Sequence, residues 1–321
     1  MNPAYSVIFF TSSTGAGYGL VTLLAVLAFA GLIPASRGFG IVAFAVSLSL
    51  IGAGLFASTL HLGHPRRAWR ALSQWRTSWL SREGVVAVLA FIPVLVYGYG
   101  WVVVGTNAGA WKWVGLVAAL LAMITVVCTA MIYASLKPIP RWRSAWVPPV
   151  YVALGFATGG WILNFVSQLF GVAGSWMVAL VAALTVAAWA LKLCYWARVD
   201  RSGAWERAKN ATGLERHGSV RQLESPHTSV NFVMKEMGFT IARRHAIALR
   251  ATALCSGCVL PLGLLWAAST MPPNGMFALL ASGTISSMIG VLVERWLFFA
   301  EAQHVVIAYY STRSPPGGRT P

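Results

Sequence analysis

The chain has 321 residues, of which 57 % are apolar and only 10 % charged, with a mean hydropathy of +0.68. A monomer of this size cannot hide so much apolar surface from water, so composition excludes a soluble globular protein and implies an integral membrane protein. The net charge of +16 is explained by where the cations sit in the topology and calls for no nucleic-acid partner.

A helix needs about 20 apolar residues to cross the hydrocarbon layer of a bilayer. Eight runs reach that length, at roughly 5–33, 38–62, 84–104, 113–135, 147–171, 174–197, 247–269 and 276–310. Alternation with a period of two is absent, which argues against a β-barrel. The expected fold is all-α, a polytopic bundle of eight transmembrane helices. It forms a single membrane-anchor domain over 1–321, with one large extramembrane loop at about 198–246 between helices 6 and 7. The N-terminus lacks the basic region of a cleaved signal peptide, so the first run reads as a retained span.

The first run opens with small and polar residues from Thr11 to Gly19. Small residues let neighbouring helices approach closely. A functional reading would have Ser13 or Tyr18 line a ligand pocket. The second run carries Gly52, Gly54, Ala57 and Ser58 before it reaches His61.

The stretch that follows, Thr59–Glu83, reads TLHLGHPRRAWRALSQWRTSWLSRE and gathers two histidines, five arginines, three tryptophans and a glutamate. Pro65 suits the first turn of a new helix, where its missing N–H costs nothing. Ala68, Leu72, Trp75 and Trp79 would share one face, which is the pattern of a short helix lying in the membrane interface. Ser81 is positioned to cap the next helix, with Glu83 in its first turn. Further along, Pro138 and Pro140 end the fourth run, and Pro148 and Pro149 suit the start of the fifth. Trp142 and Trp146 read as interface anchors.

Within the long loop, Phe232, Val233 and Met237 supply apolar surface that a linker would not need, so an ordered docking element is expected there. The last run holds Glu294, Arg295, Glu301 and His304. On a continuous helix, Glu294 and Glu301 nearly superpose and His304 follows at i+3. Ionisable residues inside a span are functional hypotheses by default. A structural alternative pairs Glu294 with Arg295 or with another helix.

Cation placement sets the expected orientation. The loops after helices 2, 4 and 6 together with the C-terminal tail hold 20 Lys and Arg residues, against only Arg37 and Lys112 on the other side. Basic loops stay in the cytoplasm, so both termini are expected there. Cys128, Cys194, Cys255 and Cys258 all lie in apolar runs. One C-x-x-C pair in a span is more readily core packing than a metal site, and no four-cysteine cluster motif occurs.

At LHLGHPRRAW…SWLSRE the sequence resembles the membrane anchor subunit of the dimethyl sulfoxide reductase family of complex iron–sulfur molybdoenzymes. The segment MIYASLKPIPRWRSAW and the arginine-bearing eighth helix extend the resemblance over the whole membrane part. The stretch ESPHTSVNFVMKEMGFTIARRHAIALR is similar instead to the branch found in cytoplasmic quinone-linked sulfite dehydrogenases. The resemblance implies a complex in the plasma (inner) membrane with an iron–sulfur ferredoxin-like subunit and a molybdopterin catalytic subunit. This chain would bind ubiquinone or menaquinone and exchange electrons between the quinone pool and the cluster subunit. No haem, iron–sulfur cluster or molybdopterin is expected in it, and substrate catalysis would lie in another chain. The family implicates His61 and Glu83 in quinone binding; His64, Glu301 and His304 join them as candidates on the residue reading alone. Polysulfide reductase-type anchors are a near alternative, and a haem-bearing quinol subunit or a solute transporter are the other classes.

Overall fold

A computed structural model describes residues 3–60, 62–201, 213 and 245–306, and among these residues the chain is all-helical. Eight helices are long and apolar enough to span a membrane. They are α1 Tyr5–Phe29, α2 Arg37–Thr59, α3 Trp79–Val104, α4 Ala110–Ala134, α5 Val147–Leu169, α6 Trp176–Arg201, α7 Ala246–Ser269 and α8 Pro273–Ala300. Prolines fall where helix chemistry tolerates them, at the first turns of α5 and α8. Pro93 is the exception inside α3, which finishes in a π-helical turn at Gly100–Val104. A second π turn, Cys255–Val259, interrupts α7 just before Pro261. Such turns absorb the backbone mismatch that a helix-breaking residue introduces.

The bundle is built around two inner helices. α1 and α5 are the most buried spans, at 83 % and 78 %. α2 and α4 pack on α1, and α6 and α8 pack on α5. The two inner helices cross through Gly15, Gly19, Gly155 and Gly159. A methyl group at Gly19 would run into the carbonyl of Gly155, and one at Gly159 into the backbone of Gly19 and Leu20. Lipid supplies no hydrophobic force between helices, so backbone approach of this kind carries the association. The small-residue reading of the first run is therefore correct. Ser13 takes part in it, its hydroxyl donating to the Leu50 carbonyl at 2.7 Å.

Three boundaries differ from expectation. α3 begins at Trp79, capped by Ser78, so Ser81 is already one turn inside and its hydroxyl donates instead to the Ala71 carbonyl. Glu83 consequently sits in the second turn and is buried. The connecting segment Pro65–Gln74 is a 3-10 helix rather than a continuous amphipathic helix. It is strapped to α3 by Arg82, which donates to the carbonyls of Trp75 and Arg76 at 3.0 and 2.7 Å. Leu72 lies over Gly84, while Trp69 and Trp75 stay exposed, as residues at a membrane interface do.

The third difference is at the far end. α8 stops at Ala300 with Glu301 as its cap, and the backbone turns so that the Val305 N–H donates to the Pro138 carbonyl at 2.9 Å. Trp142 is not an interface anchor. It is buried, donates through Nε1 to the Phe298 carbonyl at 2.8 Å, and stacks on the Phe298 ring at 5.7 Å. With Tyr133, Tyr151 and Phe299 it fills the space where α4, α5 and α8 meet. Phe232, Val233 and Met237, expected to form a docking element, lie outside the described residues.

Candidate functional site

Glu83, the last residue of the Thr59–Glu83 stretch, is a buried acid. Along α3, Glu83, Ala87, Ala90, Val94 and Tyr97 alternate at spacings of four and three and are all buried, so they form the face that α3 turns inward. A carboxylate on that face is only 5 % exposed. Its one hydrogen-bond partner among the described residues is the Thr129 hydroxyl of α4, which donates to Oε1. The Thr125 carbonyl, 3.1 Å away, is the alternative acceptor for that same hydroxyl proton. No cation among the described residues forms an ion pair with Glu83.

Tyr18 of α1 is 2 % exposed. Its hydroxyl neighbours the Thr125 hydroxyl of α4, which donates its own proton to the Leu121 carbonyl at 2.8 Å and so presents its oxygen to Tyr18 as an acceptor. Tyr18 also borders a narrow seam with Leu48 and Ile51 of α2 and Ala90, Phe91 and Val94 of α3, which has no room for a water molecule. Of the two residues the first run offered as pocket-lining, Ser13 is a packing residue and Tyr18 borders only this closed seam.

The other acids are arranged differently. Glu301 is buried but clamped by two arginines. Arg250 of α7 donates to it through Nε and Nη2 at 2.9 and 2.8 Å, and Arg141 of the α4–α5 loop does so at 3.2 Å. Asp200, at the end of α6, completes the group by accepting from Arg250 at 2.5 and 3.1 Å. Four segments are thus tied together at one end of the bundle. Glu294, fully buried, lies between Lys192 of α6 and Arg295, the latter at 3.2 Å. The Arg295 guanidinium sits 3.6 Å over the Tyr151 ring, and Lys192 sits 4.2 Å over the Tyr195 ring.

The histidines do not converge on any of these acids within the described residues. His64 is exposed, at the entry to the 3-10 segment. His304 lies beyond the end of α8, and its Nδ1 accepts the Val306 N–H at 3.1 Å. The expected continuous helical face of Glu294, Glu301 and His304 is therefore interrupted at Ala300. His61 lies outside the described residues, immediately after Leu60, the cap of α2. Among the described residues no three His, Cys, Asp or Glu side chains are grouped as a metal site would require.

The sequence model of the DMSO reductase anchor subunit (DmsC) matches residues 1–300. The chain belongs to that family of anchor subunits. It is 34 % identical over 340 aligned positions to the C subunit of the sulfite dehydrogenase of Allochromatium vinosum, spanning 97 % of this protein and 99 % of that one. It is 28 % identical over 255 positions to the C component of the anaerobic dimethyl sulfoxide reductase of Escherichia coli, spanning 78 % and 77 %. The greater likeness to the sulfite dehydrogenase protein agrees with the resemblance that the long loop carries.

Several site residues of this anchor subunit were not singled out from its sequence. Thr129 is one threonine in an apolar run, and nothing in its spacing marks it as the partner of Glu83. Lys192 could have been found by counting: of 24 Lys and Arg residues, only it and Arg295 fall in the interior of apolar runs. Two cations deep in a membrane protein require a shared anion, and Glu294 is the acid in reach.

Proposed function

We propose that this anchor subunit holds an iron–sulfur subunit and a molybdopterin subunit on the cytoplasmic side of the plasma membrane and hosts the quinone half-reaction at Glu83. One observation carries the reading. Every other buried carboxylate among the described residues is neutralised by cations, whereas Glu83 has only a hydroxyl for company. A carboxylate left unpaired in a membrane interior is costly, and that cost is retained where the group has work to do. The distribution of 20 cations against two supports placing the Glu83 end, both termini and the loop after α6 in the cytoplasm. The likeness to the sulfite dehydrogenase protein supports sulfite as the partner's substrate.

A quinone takes up two electrons and two protons to become quinol, and gives both up in the reverse direction. The electrons pass between it and the cluster subunit, so what this chain must supply is binding and proton exchange. Glu83 can accept a proton from a quinol hydroxyl or return one to a quinone carbonyl. Thr129 fixes one carboxylate oxygen and leaves the other free to do so. His61, which follows the α2 cap Leu60 in the sequence, carries an imidazole that can both donate and accept, and it would serve the second oxygen and the route to water. His64 would extend that route, while Glu301 is taken up by Arg141 and Arg250 and His304 Nδ1 by the Val306 N–H.

Glu83→Gln keeps size and helix position and removes the proton acceptor. In the assembled complex, quinone-linked turnover should fall by roughly 10²–10⁴. Activity with a soluble artificial electron carrier should stay at the wild-type level. Normal quinone turnover in an intact Glu83→Gln complex would remove the site from this position.

A further inference from the structure

Buried charge in this bundle balances only as a whole. Among the described residues the buried charged side chains are Glu83, Lys192, Glu294, Arg295 and Glu301. Glu301 belongs to a neutral group of its own, in which it and Asp200 face Arg141 and Arg250. Lys192 and Arg295 share the one carboxylate of Glu294, which leaves one positive charge over. Glu83, with only the Thr129 hydroxyl beside it, leaves one negative charge over. An uncompensated charge of either sign is costly in a dry membrane interior. The two excesses are equal and opposite, so each relieves the other if their fields meet.

The packing between them lets the fields meet. Thr129 and Tyr133 are one turn apart on α4, about 6 Å between their side-chain roots. The Tyr133 ring stacks on Tyr151 of α5 at 6.0 Å, and the Arg295 guanidinium lies 3.6 Å over the Tyr151 ring. Glu83 and Arg295 both act electrostatically on these two tyrosines. Where Tyr151, Tyr195, Lys192 and Arg295 meet there is no room for a water molecule. Charges separated by dry side chains are screened far less than charges across water, and they act beyond contact distance. Among the described residues no nearer cation serves Glu83. Tyr18 of α1 and Cys128 of α4 bring it neutral groups, and Arg82 is turned onto the carbonyls of Trp75 and Arg76. Lys192 is enclosed by Glu294, Arg295, Tyr151, Tyr195 and Trp196. Glu301, whose field also reaches it, is held by Arg141 and Arg250.

We infer that Lys192 is a positioning residue for proton exchange at Glu83, its ammonium supplying the counter-charge of that carboxylate across the stacked rings of Tyr133 and Tyr151. Lys192 takes no proton from the quinone and touches nothing that reacts. Its field makes ionised Glu83 tolerable in the bundle while leaving the carboxylate clear of any ion pair. The inference rests on the quinone reading of Glu83 and adds a residue of α6 to it.

The test is Lys192→Met, with Lys192→Arg as the variant that restores the charge, in the complete three-subunit complex in nanodiscs. Lys192→Gln is the alternative neutral variant if Lys192→Met does not assemble. Quinone-linked turnover is followed against pH with a decyl-tailed benzoquinone or naphthoquinone, and a soluble artificial carrier is the control. Unit charges roughly 12–18 Å apart, at an effective dielectric constant of about 20, shift each other's titration by about 0.5–1 pH unit. Loss of a cation disfavours the carboxylate. The limb of the profile that Glu83→Gln abolishes should therefore move up by about 0.5–1 pH unit in Lys192→Met and return in Lys192→Arg. The artificial-carrier profile should not move. Melting of the same complexes gives a second reading that involves no quinone. Glu83→Gln and Lys192→Met each leave one charge over, and the double variant is neutral again, so it should melt above the temperature that the two single shifts add up to. An unmoved limb in an assembled neutral variant, or additive melting shifts, would overturn the inference. Normal quinone turnover in Glu83→Gln would instead remove the quinone reading, and the melting cycle would then decide the charge coupling alone.

Discussion

Lys192, Glu294 and Arg295 make an unequal set: two cations and one carboxylate, each no more than 2 % exposed. Charge counting predicts a sharp asymmetry among their substitutions. At 3.2 Å, the Arg295–Glu294 attraction is about 5 kcal/mol with an effective dielectric constant near 20. The Lys192–Glu294 contact is at least as close. Glu294→Gln removes both attractions and leaves two cations facing each other without a counter-ion. Breaking a buried pair by removing one partner costs about 3–5 kcal/mol, and here the removed partner serves two. Lys192→Met does the opposite. It loses the attraction to Glu294 and the cation–π contacts to Tyr195 and Trp196, but it leaves a neutral Glu294–Arg295 pair, ends the repulsion from Arg295 and removes the burial cost of an ammonium, which in a dry interior is of the same size as the lost attraction. Thermal unfolding of the detergent-solubilised subunit, followed by size-exclusion chromatography, would rank the two. Glu294→Gln should melt far below the wild type or fail to accumulate in membranes, and Lys192→Met should stay close to it. Equal damage from the two substitutions would refute the charge argument and give Lys192 a role other than as a counter-ion.

Two further predictions test the frame and the site separately. Gly19→Ala forces a methyl into the Gly155 carbonyl and should separate α1 from α5, lowering thermal stability and complex yield, whereas Gly52→Ala meets nothing within 4 Å and should be silent in the same measurement. Thr129→Val deletes the donor to Glu83 at nearly constant volume and should slow quinone-linked turnover with assembly intact, by roughly tenfold for a hydrogen bond to a charged group. Restoration by Thr129→Ser would separate loss of the hydroxyl from a packing change.

Spans were legible because apolar length is a property of the sequence alone. The eight runs lie within a few residues of the eight helices, apart from the later start expected for α3 and the later end expected for the eighth run. Those two misplacements share a cause. Ser78 and Ser81 are both good caps, and only the strap to Ala71 decides between them. Likewise the residues after Ala300 are helix-compatible, and the pull of Arg141 and Arg250 on Glu301 lies in partners that are distant in sequence. Glu83 was legible as an acid at a membrane boundary, but its isolation from cations was not. Isolation is a statement about everything around a residue, and helical periodicity reports only on one helix at a time.

The same contrast explains why two carboxylates of similar burial, Glu83 and Glu301, cannot be exchanged in role. Glu301 accepts three hydrogen bonds from guanidinium groups on two other segments. Both of its oxygens are taken by donors on other segments, so what it does is tie those segments together. Glu83 accepts one neutral hydroxyl, from a threonine that can turn its proton to the Thr125 carbonyl and accept instead if the acid is protonated. Both of its protonation states fit the same packing. That tolerance is what a proton-exchanging group needs, and it depends on keeping every arginine of the Thr59–Glu83 stretch outside the bundle. Arg82 shows how: one residue before Glu83, it turns back over the Trp79 ring at 4.3 Å and onto the carbonyls of Trp75 and Arg76. The strap that fixes the interfacial segment therefore also holds the nearest cation away from the acid.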